Sequence, residues 1–198
     1  MDPIVLRAMQ KWPDVPRVYG WLRLDRRGQW LIKSAASTGR SGGFERIGNA
    51  AMVEFIGRNY AADEHGRWFF QNGPQRVFLW LDYAPWVCRL NGAGDTLVLH
   101  TGGAFGEVSS LHLDEAGSML VAGARGVALL DDRDLAQVVQ MLEQENRVSE
   151  EALLRPGARR KLSWLGQPVK FSGIVSSRVP KRFAFDPRPM PRSGEPEC

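Results

Sequence analysis

Cysteine and histidine are scarce in this 198-residue chain, with two Cys and three His. Cys88 and Cys198 form neither a disulfide framework nor a metal site. A reduced, cytoplasmic protein is the resulting expectation. No apolar run reaches the roughly 18 residues a transmembrane helix needs, so no membrane partner is expected. The N-terminal MDPIVLRAMQKW has neither the basic start nor the long apolar run of a secretory signal. No Ser sits in a Gly-x-Ser-x-Gly elbow. The Gly-rich stretch Thr101–Gly106 leads into a predicted strand rather than a helix, which argues against a phosphate loop. His100 and His112 flank that stretch without a third or fourth ligand, and His65 falls in a turn, so neither metal nor cofactor is expected.

The chain does have the material for a core. Apolar residues make up 43% and charged residues 24%, with seven Trp and nine Phe. This is an ordinary globular composition for one domain or one domain plus a tail. Asp2-Pro3 opens a predicted helix to about Lys11. Val18–Lys33 reads as a hairpin turning at Asp25–Gly28, and Ser34–Gly43 as a small polar loop. Asn49 caps a predicted helix over Ala50–Tyr60. Short strands follow at Trp68–Gln71, Val77–Leu81, Trp86–Leu90, Thr96–His100, Val108–Leu113, Met119–Ala122 and Val127–Leu130. Connections this short imply antiparallel neighbours. Leu135, Val138, Val139 and Leu142 form a helical stripe behind Asp132 or Asp134. A last hairpin turns around Gly166. The expected fold is α+β: a curled antiparallel meander of about eight strands packed with two or three helices. The expected body spans residues 1–174, and 175–198 form a basic, Pro-rich, loosely ordered tail.

Three segments repeat a pattern: LRLDRRGQWLI from Leu22, YAADEHGRWFF from Tyr60 and LHLDEAGSMLV from Leu111. Each places Asp three residues before Gly, the chemistry of a strand–turn–strand unit. The second and third stay in step further on, through Gly73, Val77 and Leu79 against Gly123, Val127 and Leu129. Shared turn chemistry and true duplication both account for this.

The most distinctive stretch runs from Asn59 to Leu81. Between two apolar strands it carries Gln71-Asn72-Gly73-Pro74-Gln75-Arg76. A tight turn explains Asn72, Gly73 and Pro74. It does not explain Gln71, Gln75 and Arg76, whose amides and guanidinium suit a carboxylate, a phosphate or a backbone strand. Arg67 approaches Arg76 if the register allows. The candidate ligand- or partner-binding set is therefore Arg67, Gln71, Asn72, Gln75 and Arg76. Satisfaction of buried backbone at a sheet edge is the alternative role for these groups. Trp68, Phe70, Phe78 and Trp80 crowd one sheet face by alternation, a surface through which a homodimer can form.

The run N-Y-x-x-D-x-x-G-R-W-F-F-Q-N-G-P-Q-R-V over Asn59–Val77 resembles the core signature of a family of bacterial conserved hypothetical proteins, a domain of unknown function. Weaker similarity runs from Tyr19-Gly20-Trp21-Leu22 to the helix at Asp134, and Arg182-Phe183 before Asp186-Pro187-Arg188-Pro189 adds to it. The resemblance implies no activity, ligand or catalytic residue.

Charge is uneven along the chain. From Ala152 to Phe185 there are eight basic residues and no acidic one. Arg159, Arg160, Lys161, Lys170, Lys181 and Arg182 form a candidate nucleic-acid-binding set through attraction to polyanions. A solvated basic face is the plainer reading. The favoured function is a non-enzymatic binding or assembly module for an unknown protein or a small anionic ligand, acting through residues 71–76. A nucleic-acid accessory protein acting through residues 152–185 is the alternative, and an enzyme with an unfamiliar site the third.

Overall fold

The computed structural model describes residues 1–34, 43–155 and 159–195. Most of the Ser34–Gly43 loop and Cys198 therefore lie outside the described residues.

The three Asp-x-x-Gly runs fold alike, bond for bond. Gly28, Gly66 and Gly117 donate their N–H to the carbonyls of Asp25, Asp63 and Asp114 at 3.2, 3.1 and 3.1 Å. Each Asp donates its own N–H to the carbonyl just past the Gly, on Gln29, Arg67 and Ser118. One carboxylate oxygen of each Asp accepts two further N–H groups, two and four residues on. The glycines stand at φ 74°, 73° and 80°, where a side chain is strained. Asp therefore organises the turn and Gly permits it.

By internal contacts the chain divides into two compact units, Met1–Pro85 with Ala184–Cys198, and Trp86–Phe183. The first holds α1 (Pro3–Lys11), β1 (Val18–Leu24), β2 (Trp30–Lys33), β3 (Phe44–Arg46), α2 (Ala50–Arg58), β4 (Tyr60–Ala62), β5 (Trp68–Asn72) and β6 (Gln75–Leu81). Its sheet runs β3-β2-β1-β6-β5-β4. The second holds β7 (Trp86–Leu90), β8 (Leu97–Leu99), β9 (Val108–Leu113), β10 (Met119–Gly123), β11 (Gly126–Leu130), α3 (Leu135–Asn146), α4 (Glu150–Leu154), β12 (Arg159–Trp164), β13 (Gln167–Gly173), a 3-10 turn (Ser176–Arg178) and α5 (Val179–Arg182). Its sheet runs β12-β13-β9-β10-β11-β7-β8.

The two sheets share a five-strand plan. A hairpin (β1-β2; β7-β8) precedes a three-strand meander (β4-β5-β6; β9-β10-β11). The last meander strand pairs parallel with the first hairpin strand, β6 on β1 and β11 on β7. The two repeat copies that stay in step are the two equivalent meanders. In the second unit the hairpin closes from Asn91 to Thr96, one residue further apart than Asp25 and Gln29, and Asn91 Oδ1 accepts from the N–H groups of Asp95 and Thr96.

The fold is α+β, with curled β-structure packed with helices. It differs from a single antiparallel meander in having two mixed sheets and three parallel pairings, the third being β13 on β9. Short turns fix only consecutive strands as antiparallel. The parallel neighbours are joined through long connections whose pairing no local signal marks. The division also differs from a body at 1–174 with a tail. Described residues beyond 174 form the 3-10 turn and α5, bury Val179 and Phe185, and bridge Asp186 to Arg67. The N–H groups of Asp186 and Leu81 donate to the carbonyls of Gly66 and Pro187, each at 2.9 Å, so backbone bonds hold this Pro-rich stretch without a strand of its own.

The helices follow local chemistry. Asn49 Oδ1 caps α2 by accepting from Met52 N–H at 3.0 Å. Asp2 stands at the N-cap of α1 ahead of Pro3, but its side chain makes no capping bond; its carboxylate meets Arg58 and Asn59 instead. Val138, Val139 and Leu142 of α3 join the second unit's core with Leu111, Val121, Leu162, Trp164, Val169 and Phe171. Tyr60 begins β4 rather than ending α2.

Candidate functional site

Register sets the first unit's sheet faces. Phe69 pairs with Phe78, Phe70 with Val77 and Gln71 with Arg76. Residues Arg67, Phe69, Gln71, Arg76, Phe78 and Trp80 therefore share one face, and Trp68 and Phe70 the other, since side chains alternate. This corrects the expectation that four aromatics crowd one face. Phe70 meets Phe55 of α2 edge-on at 5.5 Å, and Trp68 meets Tyr60 at 4.7 Å.

The opposite face is built of arginines on rings. Arg67 lies over Phe78 at 4.7 Å and Arg76 over Phe69 at 4.6 Å. Tyr19 stacks on Phe78 at 4.7 Å, with planes 6° apart. Further along the face, Arg23 grips Asp82 at 2.6 and 2.7 Å, and Arg188 lies over Trp80 at 4.7 Å. Arg67 and Arg76 thus share a face, each held on its own ring.

Arg67 is the centre of this face and only 4% exposed. Its Nε donates to Asp63 Oδ2 at 2.7 Å. Its two terminal nitrogens donate to both oxygens of Glu195, each at 2.9 Å. The Tyr19 hydroxyl donates to Glu195 Oε2 at 2.6 Å, Arg192 N–H donates to the same oxygen at 3.2 Å, and Arg17 pairs with Oε1. The result is a socket of two guanidiniums and a phenol around one carboxylate, in the bidentate geometry that makes arginine selective for carboxylates. The electrostatics agree. Glu195, bonded first by Arg67, is held well below the usual carboxylate range. Burial and the adjacent Glu195 push the Tyr19 hydroxyl up to about 12, so it stays a donor. Asp63 is lowered, because bonds from Arg67 and from the backbone outweigh its burial.

Two amides of the polar turn bond backbone carbonyls of the first unit. Gln71, 1% exposed, donates Nε2 to Gly73 O at 2.9 Å. Its Oε1 is buried without a hydrogen-bond partner among the described residues. Gln75 donates Nε2 to Pro16 O at 3.0 Å. Asn72 is exposed and Arg76 half-buried. Among the five candidates, Arg67 is bonded to a carboxylate from a distant part of the chain. Arg17, Tyr19 and Glu195 were not among the candidates. Alternation brings Tyr19 to the face of Phe78, but no sequence signal ties Glu195 to Arg67 across 128 positions.

In the second unit Arg159, Arg160 and Lys161 lie on β12, Lys170 on β13, and Lys181 and Arg182 on α5, all exposed. Arg159 pairs with Ser172 and Lys161 with Lys170, while Arg160 pairs with Phe171 and so belongs to the opposite face. His112, 6% exposed, is bonded on both ring nitrogens, to Ser110 Oγ at 3.0 Å and Ser172 Oγ at 2.9 Å. Burial and then the charge of Arg182 lower its pKa. His100 Nδ1 accepts Val87 N–H at 3.2 Å, so the two histidines have separate partners. Among the described residues no group of three or more His, Cys, Asp and Glu is placed to hold a metal ion. Cys88 is buried, and burial pushes its thiol well above its ordinary range. No helix among the described residues is long and apolar enough to cross a membrane.

No curated protein matches the chain. A solved structure described as a DUF1285 family protein from Silicibacter pomeroyi DSS-3 is similar at a TM-score of 0.50 and 18% identity, covering 86% of this chain and 87% of that one. That likeness concerns the fold alone. The sequence profile DUF2944, described as "Protein of unknown function (DUF2946)", matches residues 1–190. With most of its length matched, the chain belongs to that family of unknown function.

Proposed function

We propose that the protein is a cytoplasmic binding module whose first unit recognises a carboxylate-bearing segment through Arg67, Arg17 and Tyr19. One observation carries this reading: the socket holds a carboxylate, that of Glu195, through a bidentate pair at 2.9 Å backed by a phenol at 2.6 Å. Asp63 presets the guanidinium and Phe78 supports it from below. An acidic side chain from a partner meets donors already in place, which reduces the ordering cost of binding. Arg76, on the same face beside the hairpin turn, gives such a partner a further polar contact.

The test vacates the socket and refills it. The full-length Glu195→Ala variant is titrated with acetyl-Arg-Ser-Gly-Glu-amide, followed by NMR shifts of the Arg67 and Tyr19 resonances. Two charge-assisted bonds support binding in about the millimolar range. The unsubstituted protein, with its socket filled, should not respond, nor should the variant respond to the Gln form of the peptide. A folded variant that ignores the Glu peptide, or takes the Gln peptide equally well, overturns the reading.

A further inference from the structure

Two rows of side chains cross three adjacent strands on the face of the second sheet that turns away from its apolar core. Lys161 pairs with Lys170, which pairs with Ser110; Arg159 pairs with Ser172, which pairs with His112. Alternation puts all six on one face, because Leu162, Phe171 and Leu111 occupy the core side. The rows are about 7 Å apart and the strands about 5 Å apart. Every position is polar, three are cationic and none is acidic. Arg182 adds a fourth charge, felt at His112, where the adjoining Phe183 ring packs edge-on at 5.5 Å. Among the described residues the neighbouring acids lie beyond the rows: Asp114 follows His112, Ser163 donates to Glu145 at 3.1 Å, and Ser176 donates to Glu115.

Lysines placed directly opposite in an antiparallel pair repel one another. Lys161 and Lys170 are so placed, and both are exposed. The hydroxyls of Ser110 and Ser172 are both bonded to the neutral ring of His112, which accepts from one and donates to the other and so leaves one O–H beside the cations to donate. We propose that this face binds single-stranded nucleic acid through its phosphates, independently of the carboxylate socket. The cations lie within about 7 Å of their neighbours, a spacing that follows one backbone rather than bridging a major groove about 12 Å wide. The six positions carry no apolar side chain to enter a lipid surface, which sets the face apart from an interfacial membrane anchor. The contact is electrostatic and indifferent to base sequence. Of the six basic residues singled out from the sequence, Arg159, Lys161, Lys170 and Arg182 serve it; Arg160 lies on the other face, and Lys181 has no assigned contact.

The experiment measures fluorescence polarisation of a labelled oligothymidylate of about 15 nucleotides with the full chain, at 50 and 200 mM salt. With three to four phosphates neutralised, affinity should fall roughly 20- to 50-fold between the two salts, from a slope of about −0.7 per phosphate. The Lys161→Gln/Lys170→Gln variant changes two exposed side chains, and its fold is checked by circular dichroism. It should bind more weakly and lose only about 3- to 7-fold over the same salt range. No binding by the unsubstituted chain at 50 mM salt overturns the proposal. So does a variant with undiminished affinity and slope, which would place binding elsewhere. Capture by phosphatidylserine vesicles without capture of the oligonucleotide overturns it in favour of a membrane surface.

Discussion

Gly66 and Gly117 occupy the same position in two copies of one turn, with φ of 73° and 80°, which makes them a matched pair. A Cβ on Gly117 meets nothing within 4 Å. A Cβ on Gly66 meets the Ala184 carbonyl oxygen at 2.2 Å and Phe185 Cα at 3.0 Å. Alanine at either position incurs the left-handed backbone cost of about 1–2 kcal/mol. At Gly66 the Ala184 carbonyl must also retreat by about 1 Å to reach ordinary contact. That movement strains the Asp186 N–H to Gly66 O bond of 2.9 Å and draws Glu195 away from Arg67. One backbone bond and a weakened charge-assisted pair together contribute about 2–4 kcal/mol. Gly66→Ala should therefore destabilise the first unit by about 3–6 kcal/mol, and Gly117→Ala the second by only about 1–2 kcal/mol. Urea unfolding, with amide exchange followed separately in the two units, measures both values. Equal costs would refute the argument, because they would mean that residues 184–186 do not rest against the turn at Gly66.

Two further predictions concern charge. Burial pushes the His100 imidazole down to about 4, so the folded protein refuses a proton that the unfolded chain accepts below about pH 6.5. The stability it contributes is complete above pH 6.5 and is lost as the pH falls towards 4, by as much as about 3 kcal/mol. His100→Gln, whose amide oxygen can still accept Val87 N–H, should flatten this loss in urea melts at pH 7.5 and 5, with His112, shifted the same way, retaining part of it. Lys161→Glu turns the like-charge pair with Lys170 into an attractive one and should stabilise the protein by about 0.5 kcal/mol in thermal melts; a loss of stability would contradict the assigned register.

The legible parts of this fold are those that local chemistry determines. Asp and Gly at fixed spacing predict the turns at 25–28, 63–66 and 114–117, and all three form. The stripe Leu135, Val138, Val139 and Leu142 predicts α3, and Asn49 predicts the start of α2. Strands β7 and β9 match their predicted bounds. The parallel pairings were not legible, because β1 and β6 are more than 50 residues apart and their contact has no local cause. The site followed the same division. The oddity of Arg67 and its neighbours was visible between apolar strands. Its carboxylate partner arrives from a Pro-rich stretch whose composition alone reads as unstructured.

The three turns share one backbone frame and differ in the side chain that follows the glycine. In each, the residue after Gly donates its backbone N–H to the Asp carboxylate: Gln29, Arg67 and Ser118, at 2.7, 2.9 and 2.7 Å. That bond is the same whatever the side chain, so the position is free to vary. In the second turn it carries a guanidinium, and Asp63 divides its work. Oδ1 closes the turn, while Oδ2 takes Arg67 Nε at 2.7 Å. One Asp therefore fixes both the backbone and the direction of the charge. Gln29 and Ser118 stand on the same frame without a guanidinium. The turn supplies the rigidity, and Arg67 supplies the guanidinium that holds Glu195.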